Sequence, residues 1–581
     1  MKRLFTAAAV RRRVLALALA LILALTGCGA AAPKPEISYT PGTYDLVPFD
    51  EMEYRRPDLD GLEELFTATA DYADAASRRD SRALSDLLER CWDAYDEFYT
   101  METLAMLRSD IDQSDEDAAG EYEFCRESEV RVEEWLDRVL AACAASEAHV
   151  PSRLLAGYDQ GEPAPYTDTM LSLMEQENSL LRDYWRAMML DEIQLDGRTV
   201  SYSETISDPG ISEADYRAAN LAYYRACNAS AAPIYIDLIR VRRAMAREWG
   251  YNSYEEMQYG YFARDYSPQQ VRRYLDNVAE AVAGYYQDLM EQDPYGLISY
   301  DSLNPSSLLS LLQRSAASLG GTVGAAFDLM KTYRLYDVSS SLHKAPGAYT
   351  IYLDSYDAPF CFLGAYGDVE DFLDFSHEFG HFCDAYVNDN ATGSLDLAET
   401  YSQAMANLAL LKSRDLLSAD SYRNLLLLHL LANFSVYTEQ ASYADFESRA
   451  YQLPDEELTV ENLNALALSC AHRFGAVTPG DEETCALYWA QVTHLFDSPF
   501  YVISYCVSAD AAIQIAELER SDPGKGVACY QDMLDWKEDA FLSEVERVGL
   551  ESPFAPGRAA SNLALADELL SGSLAGLWNA A

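Results

Sequence analysis

The stretch "SLHKAPGAYTIYLDSYDAPFCFLGAYGDVEDFLDFSHEFGHFCDAYV", Ser341 to Val387, changes its periodicity part-way along. As far as Gly367 it mixes glycine and proline with β-branched and aromatic residues, a composition that favours short strands joined by turns. Beyond that the spacing turns helical, with Phe372, Phe375, Phe379 and Phe382 recurring on one apolar side. A small sheet running directly into a helix is expected. That helix carries His377 and His381, two of only seven histidines in 581 residues, with Glu378 between them.

On a helix His377 and His381 lie one turn apart and on one face, so both imidazoles can reach one ion. Glu378 is rotated by about 100° from His377, which sets its carboxylate beside such an ion and not on it. Hydrolysis needs a proton acceptor there, because zinc lowers the pKa of a bound water to about 7 and polarises a carbonyl. Glu399, in "LDLAETYSQ", follows His381 by eighteen residues, a span that allows a turn and a second helix to return a third ligand.

Outward from this region the chain reads as helix. Apolar residues recur at three- and four-residue steps from Tyr54 to about Glu192, from Ser212 to about Leu335, and from Leu397 onward. "IQLDGRTVSYSE" interrupts them, with two short runs flanking Asp196-Gly197, a strong hairpin signal. A boundary is placed there, giving an N-terminal helical domain over 43–200 and a catalytic domain over 201–581. The fold class expected is mainly α with a small β-sheet.

Composition excludes some partners. The 94 acidic residues against 43 basic ones leave a net charge of −51, and such a surface repels nucleic acid. Lys2, Arg3 and Arg11–Arg13 precede an apolar run over Val14–Leu25, the pattern of an export leader. "LTGC", Leu25 to Cys28, resembles the lipobox of bacterial lipoproteins. It implies a signal peptide over 1–27, a lipid on Cys28, a tether over 28–42, and a place on the outer face of a bacterial cell membrane. The other ten cysteines show no C-x-x-C pair and no repeated spacing, so Cys361, Cys383 and Cys506 are read as small apolar residues and not as ligands.

"HEFGH" and "ETYS" resemble the motifs of the oligoendopeptidase F branch of the thimet-oligopeptidase family of zinc metallopeptidases, the gluzincins. The resemblance implies that His377, His381 and Glu399 hold one Zn2+ ion and that Glu378 is the general base. The interval before Glu399 is several residues shorter than the family's, a departure that falls on "VNDNATGSLD". "PGAYTIYLDSYDAPFCFLGAYG" is similar to the family's substrate-pairing segment. By that likeness Tyr349, Phe360, Phe362, Gly364 and Ala365 bind substrate, with Phe360–Ala365 an exposed strand edge. In "VTHLFDSPFYVISY", His494, Tyr501 and Tyr505 match in type and order a histidine and tyrosines that hydrogen-bond the substrate and the oxyanion. Ile503 stands where relatives often carry another tyrosine.

The implied architecture is two helical halves enclosing a deep substrate channel, with the sheet next to the zinc-binding helix, in a monomer. The implied function is a metalloendopeptidase acting on short, unfolded peptides. A catalytically inactive peptide-binding lipoprotein on the same scaffold is the alternative; it would have lost one of His377, Glu378, His381 or Glu399, and all four are present. Zinc storage would need a His-rich tract, which the sequence lacks.

Overall fold

In the computed structural model, which describes residues 34–155, 167–208, 210–282, 298, 302–477, 480–538 and 540–578, helices carry most of the chain. The first three are α1 (Leu59–Ala75), α2 (Ser81–Ile111) and α3 (Glu116–Ala145). They are followed by α4 (Asp168–Met188), the hairpin β1 (Glu192–Leu195) and β2 (Arg198–Ser201), and α5 (Glu213–Glu248). Strands β3 (Tyr336–Asp337), β4 (Ala348–Leu353) and β5 (Ala358–Leu363) precede the histidine helix α6 (Asp371–Asn388). After them come α7 (Leu395–Ser413), α8 (Ala441–Ala450) and α9 (Val502–Ser521). The leader expected over 1–27 and the anchor expected at Cys28 lie outside the described residues.

Two compact units result, and each is built from two stretches of chain. The first takes Met1–Asp168 and Ser302–Gly393. Its helical core is made where α1, α2 and α3 bury Leu62, Leu65, Phe66, Leu88, Phe98 and Val132. Asp58 and Asp115 start α1 and α3 by accepting the N–H groups of Gly61 and Ala118. The expected tether does not hang free through residue 42. Ile37 and Tyr39 pack against this core, and Glu97 on α2 accepts from the Tyr39 hydroxyl at 3.0 Å and the Gly42 N–H at 3.1 Å.

The same unit contains a three-stranded sheet in the order β3-β5-β4. Strand β5 runs antiparallel to β4, with Thr350 opposite Cys361, and parallel to β3, with Tyr336 opposite Cys361. It is therefore the middle strand, and every residue in it is buried.

The second unit takes Thr169–Asp301 and Ser394–Ala581. The Asp196-Gly197 turn forms as expected, with φ of 51° and 74°, the left-handed values a tight hairpin requires. It does not mark a boundary, however. Ile193 packs with Ala219 and Ala222 of α5, so the hairpin is bonded into the second unit, and the compact units do not part at residue 200. No helix among the described residues is long and apolar enough to cross a membrane. The ten described cysteines are all free thiols; Cys361, Cys383 and Cys506 are fully buried, in keeping with the apolar reading.

Candidate active site

Helix α6 is anchored at both ends. Asp371 accepts the N–H groups of Tyr366 and Gly367 at 2.9 and 2.8 Å, and Asp389 ends the helix in the left-handed region. Phe372, Phe375, Phe379 and Phe382 are fully buried, which fixes the helix about its axis. His377 and His381 then come together, their ring centroids 5.0 Å apart. Burial holds the His377 ring down at about 4, and burial with His377 alongside holds His381 well below the usual histidine range. Both rings are neutral at pH 7, the state in which an imidazole offers a lone pair to a metal.

Glu378, 6% exposed, sits over the sheet. Thr350 of β4 places its hydroxyl 2.9 Å from Glu378 Oε2 and 2.8 Å from the Glu378 carbonyl. Cys361, the cross-strand partner of Thr350, has its Sγ 3.6 Å from the same carbonyl.

The expected substrate strand is corrected here. Phe360–Ala365 is not an open edge, because β5 has β4 on one side and β3 on the other, with the Cys361 N–H bonded to Leu335 O at 3.1 Å. Phe360 and Phe362 are fully buried. Tyr349 stacks on Phe362 with centroids 4.8 Å apart and donates its hydroxyl to Asp110 of α2 at 2.6 Å. Gly364 is a glycine for packing: a Cβ there would lie 2.4 Å from Ala345 O. Ala365 is half-buried and lies just beyond the end of β5. The sheet's edges are β3, two residues long, and β4, six residues long, so β4 is the longer edge.

Within the second unit Glu399 lies on α7 and is 1% exposed. Burial pushes its carboxyl up to about 7, against the opposing effect of hydrogen bonds from Tyr501 and Ser402. The Tyr501 hydroxyl donates to Glu399 Oε1. Tyr501 stands immediately before α9 and Tyr505 one turn inside it, with ring centroids 5.2 Å apart. The Tyr505 hydroxyl is 3.2 Å from His494 Nε2, and burial lowers the pKa of that ring. The three residues singled out in "VTHLFDSPFYVISY" are thus neighbours. Tyr501 differs from expectation in binding the Glu399 carboxylate.

Buried ionic groups set this arrangement. Phe500 has φ 63°, a conformation that costs about 1 kcal/mol or more outside glycine. Glu447 of α8 takes its N–H at 2.8 Å, and Arg264 donates to its carbonyl at 2.7 Å. Arg264 also donates at 2.7 Å to Ser504 Oγ, which donates to Asp396. At the other end of the segment Arg242 of α5 donates to the Phe496 carbonyl and bonds Glu177 at 2.6 Å. Gln403 ties α7 to α9, its amide nitrogen 3.2 Å from Tyr505 O and 2.9 Å from Ser508 Oγ.

Residues 49–149 match the family model of the peptidase M3 N-terminal domain. The whole fold is also shared with solved structures. PZ peptidase A, solved with an inhibitor, superposes with a TM-score of 0.74 at 19% identity, over 90% of this chain and 99% of its own. A Bacillus anthracis protein assigned as oligoendopeptidase F gives 0.69 at 21% identity, over 91% and 99%. Oligoendopeptidase F from Enterococcus faecium gives 0.53 at 13%, over 90% and 99%. The fold is that of the M3 peptidases. Among curated proteins no match is found.

Several residues that shape this M3 fold escaped the sequence reading. Thr350 looked like one more β-branched strand residue. Arg242 left a trace: it sits in the apolar stripe of α5, three residues after Ile239 and four before Ala246, where a charge must be paired. Arg264, Glu447 and the left-handed Phe500 left none, since their partners lie far along the chain.

Proposed function

We propose that this protein is a zinc-dependent oligopeptidase that cleaves short, unfolded peptides, exported and held by a lipid on Cys28 at the outer face of a bacterial cell membrane. The observation that carries the reading is helix α6, with its two neutral imidazoles 5.0 Å apart and, between them in sequence, a buried glutamate held by Thr350. Two imidazoles and a carboxylate are the protein donor set of many catalytic zinc sites, and His377, His381 and Glu399 fit it. A zinc ion held by them would supply Lewis-acid polarisation of the scissile carbonyl and of water.

The chain's own groups account for the remaining steps. Glu378 accepts the proton of the attacking water as the new C–O bond forms, and passes it to the amide nitrogen as the C–N bond breaks. Tyr505, with His494 against its hydroxyl, donates to the carbonyl oxygen as negative charge develops there. Tyr501 orients the Glu399 carboxylate by its hydrogen bond. An extended peptide adds to the longer edge strand β4, which only an unfolded chain with free backbone groups can do. The leader and "LTGC" support the location.

Incubating the purified protein with a mixed peptide library, with and without a chelator and then with zinc restored, tests the reading. Products that vanish with the chelator and return with zinc support it. A library bound but left uncut under all three conditions would make the protein a peptide-binding lipoprotein instead.

A further inference from the structure

We propose that Thr350 is a positioning residue that holds the Glu378 carboxylate for proton transfer. The inference rests on the oligopeptidase reading and extends it to a residue in the sheet. Strand alternation puts Thr350 on the same face of β4 as Ala348 and Tyr352, and its register places it opposite Cys361. From there its hydroxyl reaches both ends of one residue on α6, the main-chain carbonyl at 2.8 Å and Oε2 at 2.9 Å. The single hydroxyl proton is shared between the two acceptors, and the thiol of Cys361 closes on the same carbonyl. Strand β4 is thus fixed to the helix and to the carboxylate by one side chain.

A glutamate turns about three side-chain bonds, and a base must keep the right oxygen within hydrogen-bond reach of its proton. A bond from Thr350 to Oε2 restrains the carboxylate against turning about those bonds. Because β4 is also the strand to which we assign the peptide, the base is indexed to the surface on which the substrate lies. A valine has nearly the same shape as threonine but no donor, so the contact can be removed with little change in packing.

The test compares Thr350→Val, Thr350→Ser and Glu378→Gln as zinc-loaded full-length proteins cleaving one peptide. Thr350→Val is expected to lower kcat by about 10- to 100-fold, the scale of one hydrogen bond to a charged group, with KM within about twofold. Thr350→Ser, which keeps the donor, should stay within about threefold of the wild type. Zinc affinity, read by competition with a chromophoric chelator, should be the same in all three within about twofold. In the Glu378→Gln background Thr350→Val should have no further effect, since it acts through that carboxylate. If Thr350→Val does not fold, Thr350→Ala is the second donor-free variant. A wild-type kcat in the donor-free variant, or a serine variant as impaired as the valine, would overturn the role of Thr350 alone. Full activity in Glu378→Gln would overturn the oligopeptidase mechanism and this inference with it.

Discussion

The imidazoles of α6 and the phenols at the start of α9 are held in place by opposite means. On α6 the spacing of the two histidines is a property of any helix, and four buried phenylalanines decide which way the helix faces. From His494 to Tyr505 the chain has no such periodicity to rely on. Its shape comes from Arg242 and Arg264, 254 and 236 residues from the carbonyls they bind, and from Glu447. The first construction is local and tolerates change elsewhere. The second depends on two guanidinium charges taken out of water, which stay only because they are paired.

The sharpest way to break this contrast is Glu378→Gln. It should lower kcat by about 10³-fold or more while zinc content and melting temperature stay as in the wild type. Equal loss of metal would make Glu378 a ligand. Next in size, Arg264→Met should destabilise the protein by about 3 kcal/mol or more in urea unfolding, because Asp396 is left as a buried charge without its cation. A smaller effect than that of an α6 surface substitution would remove the distinction drawn here. Tyr505→Phe should reduce kcat about 10²-fold with little change in KM; an unchanged kcat would make Tyr505 a packing residue. Tyr501→Phe removes the donor on Glu399 and should weaken zinc about tenfold in a chelator competition.

The smallest effect concerns pH. Burial raises the Glu447 carboxyl from 4.5 to about 8 against the pull of Arg242 and Arg264. Between those values the unfolded chain has lost the proton that the folded one keeps, so stability falls as pH rises through the window. Glu447→Gln abolishes this contribution and leaves an oxygen for the Phe500 N–H. Its advantage over the wild type in metal-free urea unfolding should therefore grow from pH 5 to pH 8, and a difference independent of pH would contradict the assignment.

How much was readable follows the same divide. The helix that carries His377, Glu378 and His381 and the Asp196-Gly197 turn are written in contiguous residues, and both form in the structure. The open edge at Phe360–Ala365 was misread because the strand covering it, β3, is only Tyr336–Asp337, too short to leave a pattern. The tether was misread because Ile37 and Tyr39 stand among prolines and alanines, where composition says linker and two side chains say otherwise. Phe500 and Arg264 were invisible because nothing in their neighbours names their partners, and Arg242 showed only as a charge within an apolar stripe.

The first unit is assembled from two stretches with more than a hundred residues of the other unit between them, and this sets a timetable. The end of α2 finds its partners late. Asp110 O awaits Ala345 N–H at 2.8 Å, its carboxylate awaits Tyr349 from 239 residues away, and Gln113 N–H awaits His343 O at 2.6 Å. At roughly 5–20 residues per second of synthesis, Asp110 stays unsealed on the ribosome for roughly 10–50 s. During that interval the early helices can close their own core while the floor beneath Glu378 does not yet exist. A chain halted before residue 345 would lack the groups that pair with the carbonyl and carboxylate of Asp110.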